Sequence, residues 1–409
     1  MVNLSDMNFD ILISGAGPAG LCLARALSGH GLRMAVVEQQ ALAAIEQPAF
    51  DGREIALSQH SAQLMRTLGL WERIEAKDPN AFSALRDARV LNGPSPFAMV
   101  INHSLGTHNE LGWLVSNHLI RRAAYEAVQE SQQTHHDVTL LTGERVAGVH
   151  TDTQGAHVSL ASGGTLHAQL LVAADSRFSA TRRAMGIAAE MHDFGRSTLV
   201  CMMTHDAPHH HAAWEWFGYG QTLALLPMND DPATGANRSS VVLTLPSREI
   251  DPLLVLDAEA FAHEMARRFE QRLGCMTLAS TRHAYPLVAV YPRRMVAQRF
   301  ACVGDAAVGM HPVTAHGFNF GLLGIEALAR SVLAAHAANR SIGSDWLLES
   351  YEQTHRRATR PLYLATQLIT RLYTDDTPPA RALRHVALRI GEHLVPFKRL
   401  VAASLADAH

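Results

Sequence analysis

The sequence lacks most features that mark disulfide-rich, metal-binding, nucleic-acid-binding or membrane-spanning proteins. Its four cysteines are scattered and form no C-x-x-C pair, which argues against disulfides, a zinc site or an iron–sulfur cluster and fits a reducing compartment. A net charge of −3 gives no overall attraction for nucleic acid. No uninterrupted apolar run is long enough to cross a bilayer, and the first residues lack a basic and apolar leader. We therefore expect a bacterial-type cytoplasmic protein, soluble or attached to the surface of the inner membrane.

The chain does have length and hydrophobicity. With 409 residues, of which 47% are hydrophobic, it can bury a large core in two interleaved or sequential domains. It also has 24 histidines. The runs His135–His136 and His209–His211 suggest metal ligands, but no cysteine or acid accompanies them at metal-ligand spacing. No metal site is predicted.

The most informative stretch is near the start, where residues 10–24 predict a strand, a glycine turn and a helix of small residues. The turn consists of Gly15, Ala16, Gly17, Pro18, Ala19 and Gly20. In this G-x-G-x-x-G spacing, Gly15 allows the tight turn, Gly17 lets a pyrophosphate approach the backbone, and Gly20 allows close helix–strand packing. Glu38 ends a second predicted strand about 20 residues further on, where a carboxylate can bind ribose hydroxyls. The pattern predicts a dinucleotide site, and alone it fits NAD or FAD.

Two later stretches also place acids after strands. Residues 166–174 predict a buried strand, and Asp175 follows at its carboxyl end, where ligands bind in open α/β sheets. A second strand leads into Gly304 and Asp305, followed by a loop with Pro312 and a helix that begins at Gly317. Asp305 can accept hydrogen bonds from ribityl or ribose hydroxyls. The N–H groups at the start of the helix can stabilise negative charge on a reduced flavin.

Between these stretches, residues 180–285 predict an antiparallel sheet with a broad face that could form the wall of a cavity. Trp214, Trp216 and Tyr219 could stack on an aromatic ligand there, or they could be ordinary sheet core. From residue 344 the chain is helical in pattern. Residues 381–390 and 397–401 mix apolar and basic side chains, which fits either a membrane-surface or partner helix or a packed helix with a solvated basic side.

In this order, the three motifs resemble those of the single-component flavoprotein aromatic hydroxylases with the p-hydroxybenzoate hydroxylase fold. Asp175-Ser-Arg-Phe-Ser-Ala-Thr-Arg182 is similar to their D-G-x-x-S-x-x-R motif, and Gly304-Asp305 to their G-D motif. His311-Pro-Val, Gly317-Phe-Asn-x-Gly321 and Asp51-Gly-Arg-Glu-Ile-Ala-Leu57 are most similar to the ubiquinone-biosynthesis ring hydroxylases, in the branch that hydroxylates demethoxyubiquinol.

The resemblance implies an α/β fold, in which a Rossmann-like FAD-binding domain is interleaved with an antiparallel β-sheet substrate domain and followed by C-terminal helices. The expected bounds are 1–75, 106–182 and 286–345 for the FAD-binding domain, 76–105 for a substrate-domain insertion, 183–285 for the substrate sheet and 346–409 for the C-terminal helices.

The resemblance also implies the residues of the site. The glycine turn from Gly15 to Gly20 and Glu38 would hold the ADP half of FAD, with Arg53 and Asn117 near the pyrophosphate. Asp305 would hold the ribityl chain, and Gly317, Phe318 and Asn319 the isoalloxazine ring, which would lie near Pro312. Val146, Asp175 and Gly304 would also contact the cofactor. No side chain is a convincing general base. His311 and His316 are candidates because an imidazole titrates near neutral pH.

The implied activity is hydroxylation of a lipophilic phenol or quinol, a ubiquinone precursor. NAD(P)H would reduce FAD, and O2 would then form a flavin C4a-hydroperoxide that delivers the hydroxyl group. A membrane surface or a quinone-biosynthesis complex is the expected partner. Alternatives are a hydroxylase of another phenol, a flavin halogenase, a reductase of prenyl chains and a non-catalytic FAD-binding subunit.

The sequence departs from the family motifs at several positions. Ala173 and Ser176 replace the glycines of G-A-D-G, Ala315 and His316 replace the first two residues of G-Q-G, and Val308 replaces a common histidine. A serine at position 176 is tolerable only if the backbone there does not need a positive φ.

Overall fold

The computed structural model describes residues 7–105, 108–311, 317–374, 377–394, 398–399 and 402. Its strands are β1 Met7–Ser14, β2 Met34–Glu38, β3 Glu54–Ser58, β4 Ser83–Leu85, β5 Asp87–Asn92, β6 Ala98–Asn102, β7 Gly112–Ser116, β8 Val138–Thr142, β9 Val146–Thr151, β10 Ala156–Leu160, β11 Thr165–Ala173, β12 Ala189–His205, β13 Ala212–Phe217, β14 Thr222–Met228, β15 Asn237–Pro246, β16 Met276–Leu278, β17 His283–Pro292, β18 Val296–Ala297 and β19 Phe300–Cys302.

The helices alternate with these strands in the first half of the chain and dominate its end. They are α1 Pro18–Leu27, α2 Leu42–Glu46, α3 Gln59–Thr67, α4 Leu70–Lys77, α5 Asn117–His135, α6 Ala180–Ala184, α7 Asp251–Leu254, α8 Ala258–Arg268, α9 Gly317–Ala337, α10 Asp345–Thr374 and α11 Pro378–His393. The predicted α/β fold class is confirmed.

The first sheet has the strand order β18-β19-β11-β1-β2-β8. Its central strands run parallel, with Ile13 opposite Val172 on one side and Val36 on the other. These three side chains are fully buried, as is typical of the central strands of a parallel sheet. Residues 138–160 contain three short strand-like runs that resemble a meander, but the first of them, β8, pairs in parallel with β2. Only β9, β10 and β11 pair in antiparallel succession.

The second sheet is mainly antiparallel, in the order β16-β12-β15-β14-β13-β5-β6, with β17 also paired to β12. Strands β5 and β6, from the early part of the chain, join it at the edge beyond β13. Side chains alternate between its two faces. We call the side that packs on α8 the α8 face, where Leu223 and Leu243 lie against Phe261.

We call the opposite side the inner face, because it lies against the first domain. The hydroxyl of Tyr285 on this face donates a hydrogen bond of 2.8 Å to the carbonyl oxygen of Asp51. A Cβ built on Gly52 would lie 2.9 Å from Cγ2 of Val200. The inner face therefore lies against the segment that leads into β3.

A third, small sheet with the order β3-β7-β4 lies between the two domains. Leu57 and Val115 on one side belong to the core of the first domain. By alternation, Glu54 and Ser116, which are paired across the strands, point the other way, towards the second sheet. Strand β3 is thus a wall shared by both domains.

The C-terminal helices cover one end of this assembly. Helix α10 packs on α9, and α11 packs on β5 and β6, where Leu388 joins a cluster with Met99 and Ile101. By length and composition, α9 alone among the described helices could cross a membrane, but 61% of its apolar window is buried inside the protein.

Candidate active site

The glycine turn before α1 has both tightly packed and open positions. Gly15 has φ +106°, and a Cβ there would lie 2.6 Å from the carbonyl oxygen of Ala174. A Cβ on Gly20 would lie 1.9 Å from the carbonyl oxygen of Gly15. At Gly17, by contrast, a Cβ would meet no described atom within 4 Å. The turn thus packs against the sheet at its first and last glycines and leaves open space at its middle one, beside the free N–H groups at the start of α1.

Glu38 is fixed at the end of β2 by the backbone around it. Its Oε2 accepts a hydrogen bond of 2.7 Å from the N–H of Ala16, and its Oε1 accepts one of 2.8 Å from Gln40. Its carbonyl oxygen accepts a further bond from the N–H of Glu144, which brings the half-buried Val146 at the start of β9 close to the same edge. Each carboxylate oxygen keeps a lone pair for a ribose hydroxyl.

Asp175 is held in place by residues of its own motif. Its carboxylate accepts hydrogen bonds from the Ser179 hydroxyl and, at 3.0 and 2.9 Å, from the N–H and hydroxyl of Thr181. These bonds stabilise the start of α6. The structure therefore gives Asp175 a helix-capping contact, and its role in holding the cofactor stays a prediction.

Ser176, which follows, has φ +80°. The condition under which a serine would be tolerable at this position is therefore not met, because the backbone keeps the left-handed conformation that favours glycine. The serine replaces a glycine of the family motif at a cost in conformational energy, because the turn still has the positive φ that a glycine adopts without strain.

Two arginines connect the second motif to the third. Arg182 is the arginine that ends the second motif, whereas Arg177 was not among the predicted site residues. Arg177 donates hydrogen bonds from Nε and Nη2 to Oδ2 of Asp305, at 3.2 and 2.9 Å. Arg182 is 2% exposed and donates to the carbonyl oxygen of Ala306 at 2.9 Å. Both motifs thus belong to one cross-linked unit, in which Asp305 is charge-paired and half-buried.

Arg53 and Asn117 meet at Asp51. Nη2 of Arg53 lies 2.5 Å, and Nδ2 of Asn117 2.7 Å, from Oδ2 of this carboxylate. Burial alone would raise the pKa of Asp51, but the hydrogen bonds and charge of Arg53 hold it below its usual value. The structure therefore brings these two predicted residues together.

The loop before α9 lies partly outside the described residues, as do Pro312, Ala315 and His316. Helix α9 begins at Gly317, where a Cβ would meet no described atom within 4 Å. The next residue, Phe318, packs against the core. Asn319 is 4% exposed, accepts a hydrogen bond of 3.1 Å from the N–H of Ser58 and donates one of 2.9 Å to the carbonyl oxygen of Ala56. The start of α9 is therefore fastened to β3.

His311 is half-buried, and its ring makes an edge contact with Phe194 at 4.8 Å between centroids. Burial, with the charge of Arg177, lowers its pKa to about 4. The imidazole is therefore neutral near pH 7 and is a weaker proton acceptor than a free histidine.

The aromatic cluster predicted to stack on a ligand is not assembled on the inner face. Trp216 is 3% exposed, donates from Nε1 to the carbonyl oxygen of Gly93 and packs in the core beneath α8. Trp214 points to the same side. Tyr219 is exposed and lies under the guanidinium of Arg381 at 3.8 Å. The interpretation as sheet core is therefore correct for the two tryptophans.

Two carboxyl groups that the sequence analysis did not consider lie between the sheets. Glu54 accepts a hydrogen bond from the hydroxyl of Ser116, and Glu215 lies on the inner face of β13. Burial raises the pKa of each to about 8. The available signal was the alternation of Trp214, Glu215 and Trp216, which turns an acid away from two aromatic side chains.

Taken together, the geometry fits FAD. Among the described residues, backbone donors with open space beside them lie at Gly17 and again at Gly317. The cross-linked unit of Arg177 and Asp305 belongs to the same domain. A carboxylate lies at the end of β2 for ribose, and a second sheet faces β3. These features define the class as FAD-binding enzymes with an interleaved substrate sheet.

Comparisons with known proteins agree with this class. The family model described as FAD binding domain matches residues 8–364. The chain is 42% identical over 403 residues to ubiquinone hydroxylase UbiM of Neisseria meningitidis, covering 98% of this chain and 85% of that protein. It is 32% identical to ubiquinone hydroxylase UbiL of Rhodospirillum rubrum, covering 97% and 89%. Its fold is similar to that of p-nitrophenol 4-monooxygenase PnpA from Pseudomonas putida, with a TM-score of 0.74 at 16% identity, covering 98% and 99%.

The chain therefore belongs to the FAD-binding-domain family of flavoprotein hydroxylases, in the group that contains UbiM and UbiL. It is an FAD-dependent aromatic hydroxylase.

Proposed function

We propose that this protein hydroxylates the aromatic ring of a ubiquinone precursor, demethoxyubiquinol or a polyprenylphenol, with NAD(P)H as reductant and O2 as co-substrate. The observation that carries the proposal is the position of β3. One side of this strand is fastened to the start of α9 through Asn319, and the segment before it contacts the inner face through Tyr285. A ring placed against the inner face would therefore lie close to the predicted flavin loop.

The residues that would hold FAD are the predicted ones. Backbone N–H groups at Gly17 and at the start of α1 would bind the pyrophosphate, Glu38 the ribose, and the start of α9 the flavin ring. When bound, the flavin would supply the activation of O2 that ring hydroxylation needs.

The inner face suits an apolar ring. Its central positions include Val200, Val242 and Ala224, which lie opposite each other on neighbouring strands, and Leu226, which lies opposite Ser240. An apolar wall excludes water and leaves room for a prenylated ring, while the small side chain of Ala224 provides space at the centre.

We propose that the membrane contact lies on the C-terminal helices. Three apolar side chains of α11, Leu383, Val386 and Ile390, and that of Leu394 directly after it are about half exposed and recur at helical spacing on one side of the helix. Leu364 and Leu368 continue the exposed apolar surface on α10. Arg357, Arg360 and Arg389 are also exposed on these helices. Apolar side chains flanked by arginines fit an anionic lipid surface, where a polyprenylated substrate is dissolved.

The activity is tested by complementation and by turnover. Bacterial strains that lack individual quinone hydroxylases should regain ubiquinone in at least one case, measured by mass spectrometry of extracted lipids. The purified flavoprotein should consume O2 and NAD(P)H with a short-chain quinol precursor and add one oxygen atom to the ring. Failure to rescue any strain would reject the quinone assignment. Product formation without O2 would identify a reductase, and flavin that NAD(P)H cannot reduce would identify a non-catalytic subunit.

The membrane contact is tested by co-sedimentation with vesicles. The holoenzyme should bind vesicles containing phosphatidylglycerol more strongly than vesicles of phosphatidylcholine alone. The double variant Val386→Gln, Ile390→Gln should lose most of this binding. Val255→Gln is the matched control, since Val255 is 83% exposed on the substrate domain and should have no effect. Equal binding by the double variant would place the contact elsewhere.

A further inference from the structure

A row of side chains crosses the whole inner face at one level. Cross-strand pairing joins its members from β17 to β6. They are His283, Val200, Val242, Ala224, Glu215, Val90 and Met99. The end of the row at Val200 and His283 contacts Gly52, in the segment before β3. Because opposite residues in a sheet share a face, Glu215 lies on the same side as these contacts.

Glu215 is unusual within this row because it is the only carboxylate. Strand β13 lies between β14 and β5 and is not an edge strand. The residue is nevertheless half-buried rather than fully buried, so that part of it remains accessible. The described residues give it no hydrogen-bond or ion-pair partner, and burial is the only cause of its raised pKa.

A carboxyl group without a protein partner at this depth is costly unless a ligand satisfies it. The side chain belongs to the wall where the proposed function puts the substrate ring. Three strand spacings separate it from Val200, about 14 Å, which is enough for a substituted ring to lie between them. We propose that the carboxylate of Glu215 binds a ring hydroxyl of the phenol or quinol substrate and accepts its proton during hydroxylation.

This proposal rests on the proposed function and adds the residue that activates the ring. The O–H bond of the substrate breaks, the proton moves to an Oε atom of Glu215, and the electron pair stays on the ring oxygen. A phenolate ring is richer in electrons and is attacked more readily by an electrophilic oxygen. The proton returns to the oxygen of the product, so that the carboxylate is regenerated.

The pH dependence follows from the environment of Glu215. The titratable and charged groups on the elements that pack on this face include Glu54 on β3, Arg238 on β15, His283 and Tyr285 on β17, and Arg381, Arg384, His385, Arg389 and Glu392 on α11. Burial rather than charge sets the pKa of Glu215, at about 8. Only the ionised carboxylate can accept a proton, so that kcat/KM of the wild type should rise as the pH increases through this value.

The test compares E215Q with Glu190→Gln, a control on β12 of the same sheet whose side chain is exposed. Both variants should retain FAD, measured by absorbance. We expect E215Q to lose about 100-fold or more in kcat/KM and to lose the rise with pH, while the Glu190 variant keeps the wild-type rate and profile. E215Q with a rate within twofold of wild type and an unchanged pH profile would overturn the proposal.

A second variant covers the case in which E215Q fails to hold FAD. Ala224→Leu fills the space beside Glu215 without changing any charge and should raise KM for the quinol at least tenfold with FAD retained. An unchanged KM would overturn the location of the substrate at this row. A wild-type protein that hydroxylates no phenol or quinol rejects the proposed function and this inference together. A wild type that does so with an unaffected E215Q rejects only the role of Glu215.

Discussion

Replacing Gly17 with alanine separates cofactor binding from folding in the glycine turn. Gly17 has φ −68° and ψ 175°, which is a conformation that alanine adopts without strain. Its Cβ would meet no described atom within 4 Å. The new methyl group would therefore occupy only the space in which a pyrophosphate is expected to approach the backbone.

The two expected effects have opposite signs. A glycine-to-alanine change at a compatible position stabilises a protein by about 0.4–1 kcal/mol, because the unfolded chain loses freedom. The apoprotein should gain this stability. A methyl group that keeps the phosphate away from one backbone N–H removes a charge-assisted hydrogen bond of about 1.5–3 kcal/mol. The Kd for FAD should therefore rise about tenfold to hundredfold.

The assay is a urea titration of the apoprotein combined with quenching of FAD fluorescence on binding. Gly20→Ala is the control, because its Cβ would lie 1.9 Å from the carbonyl oxygen of Gly15 and should lower the stability of the apoprotein itself. If Gly17→Ala binds FAD as tightly as wild type, the open space at the turn does not hold the pyrophosphate and our reasoning is refuted. A loss of apoprotein stability in Gly17→Ala would show that the space is filled.

Three further predictions test the packing around the site. Ser176→Gly should raise the free energy of unfolding by about 0.5–1 kcal/mol, because it removes a serine from a left-handed conformation. The control Ser350→Gly, in the exposed part of α10, should lower it by about 0.5 kcal/mol. If urea titrations show that both variants change the free energy of unfolding in the same direction, the backbone at Ser176 is not strained. Trp216→Phe should lower the free energy of unfolding by about 1–3 kcal/mol, because the variant loses the buried hydrogen bond from the indole N–H. The Kd of the substrate, measured by flavin fluorescence, should stay unchanged. Glu54 has a folded-state pKa raised by burial to about 8, so stability should fall between about pH 4.5 and 8 as only the unfolded chain ionises; Glu54→Gln should flatten this decline, and an unaltered slope would exclude Glu54 as its source.

The parallel half of the fold could be predicted from sequence because its signals are local. The strand at Ile11 to Ser14, its glycine turn and the helix after it are encoded in one stretch. The strands at 34–38 and 165–173 contain the apolar runs 34–37 and 170–173. Pairing was harder to predict. The strand at 138–142 is a short mixture of apolar and polar residues, as are the hairpin strands after it. Its parallel contact with β2 depends on the crossover helix α5 rather than on its own residues.

The candidate site also has a part that could be predicted from the sequence and a part that could not. The backbone positions of the FAD cradle could be predicted because glycine spacing reports backbone geometry directly. The contacts of Asp175, Arg177 and Asp305 could not be predicted from the sequence. A carboxylate at a strand end can bind a ligand, cap a helix or pair with an arginine, and these three outcomes share one sequence pattern. The serine at 176 shows the limit clearly: its identity suggested an ordinary φ, and its neighbours imposed a positive one.

Strand β13 shows which structural information was needed to predict the residues that face the proposed substrate. Alternation alone places Trp214 and Trp216 on one face and Glu215 on the other, but it does not say which face is covered by α8 and which by the other domain. If the acid had faced water, it would have been an ordinary surface residue. The assignment depends on the register that links Glu215 through Ala224 and Val242 to Val200 and Gly52, a chain of pairings across four strands separated by long stretches of sequence. The same two tryptophans that attracted attention as ligand contacts therefore serve as core, and the acid between them becomes the candidate for chemistry.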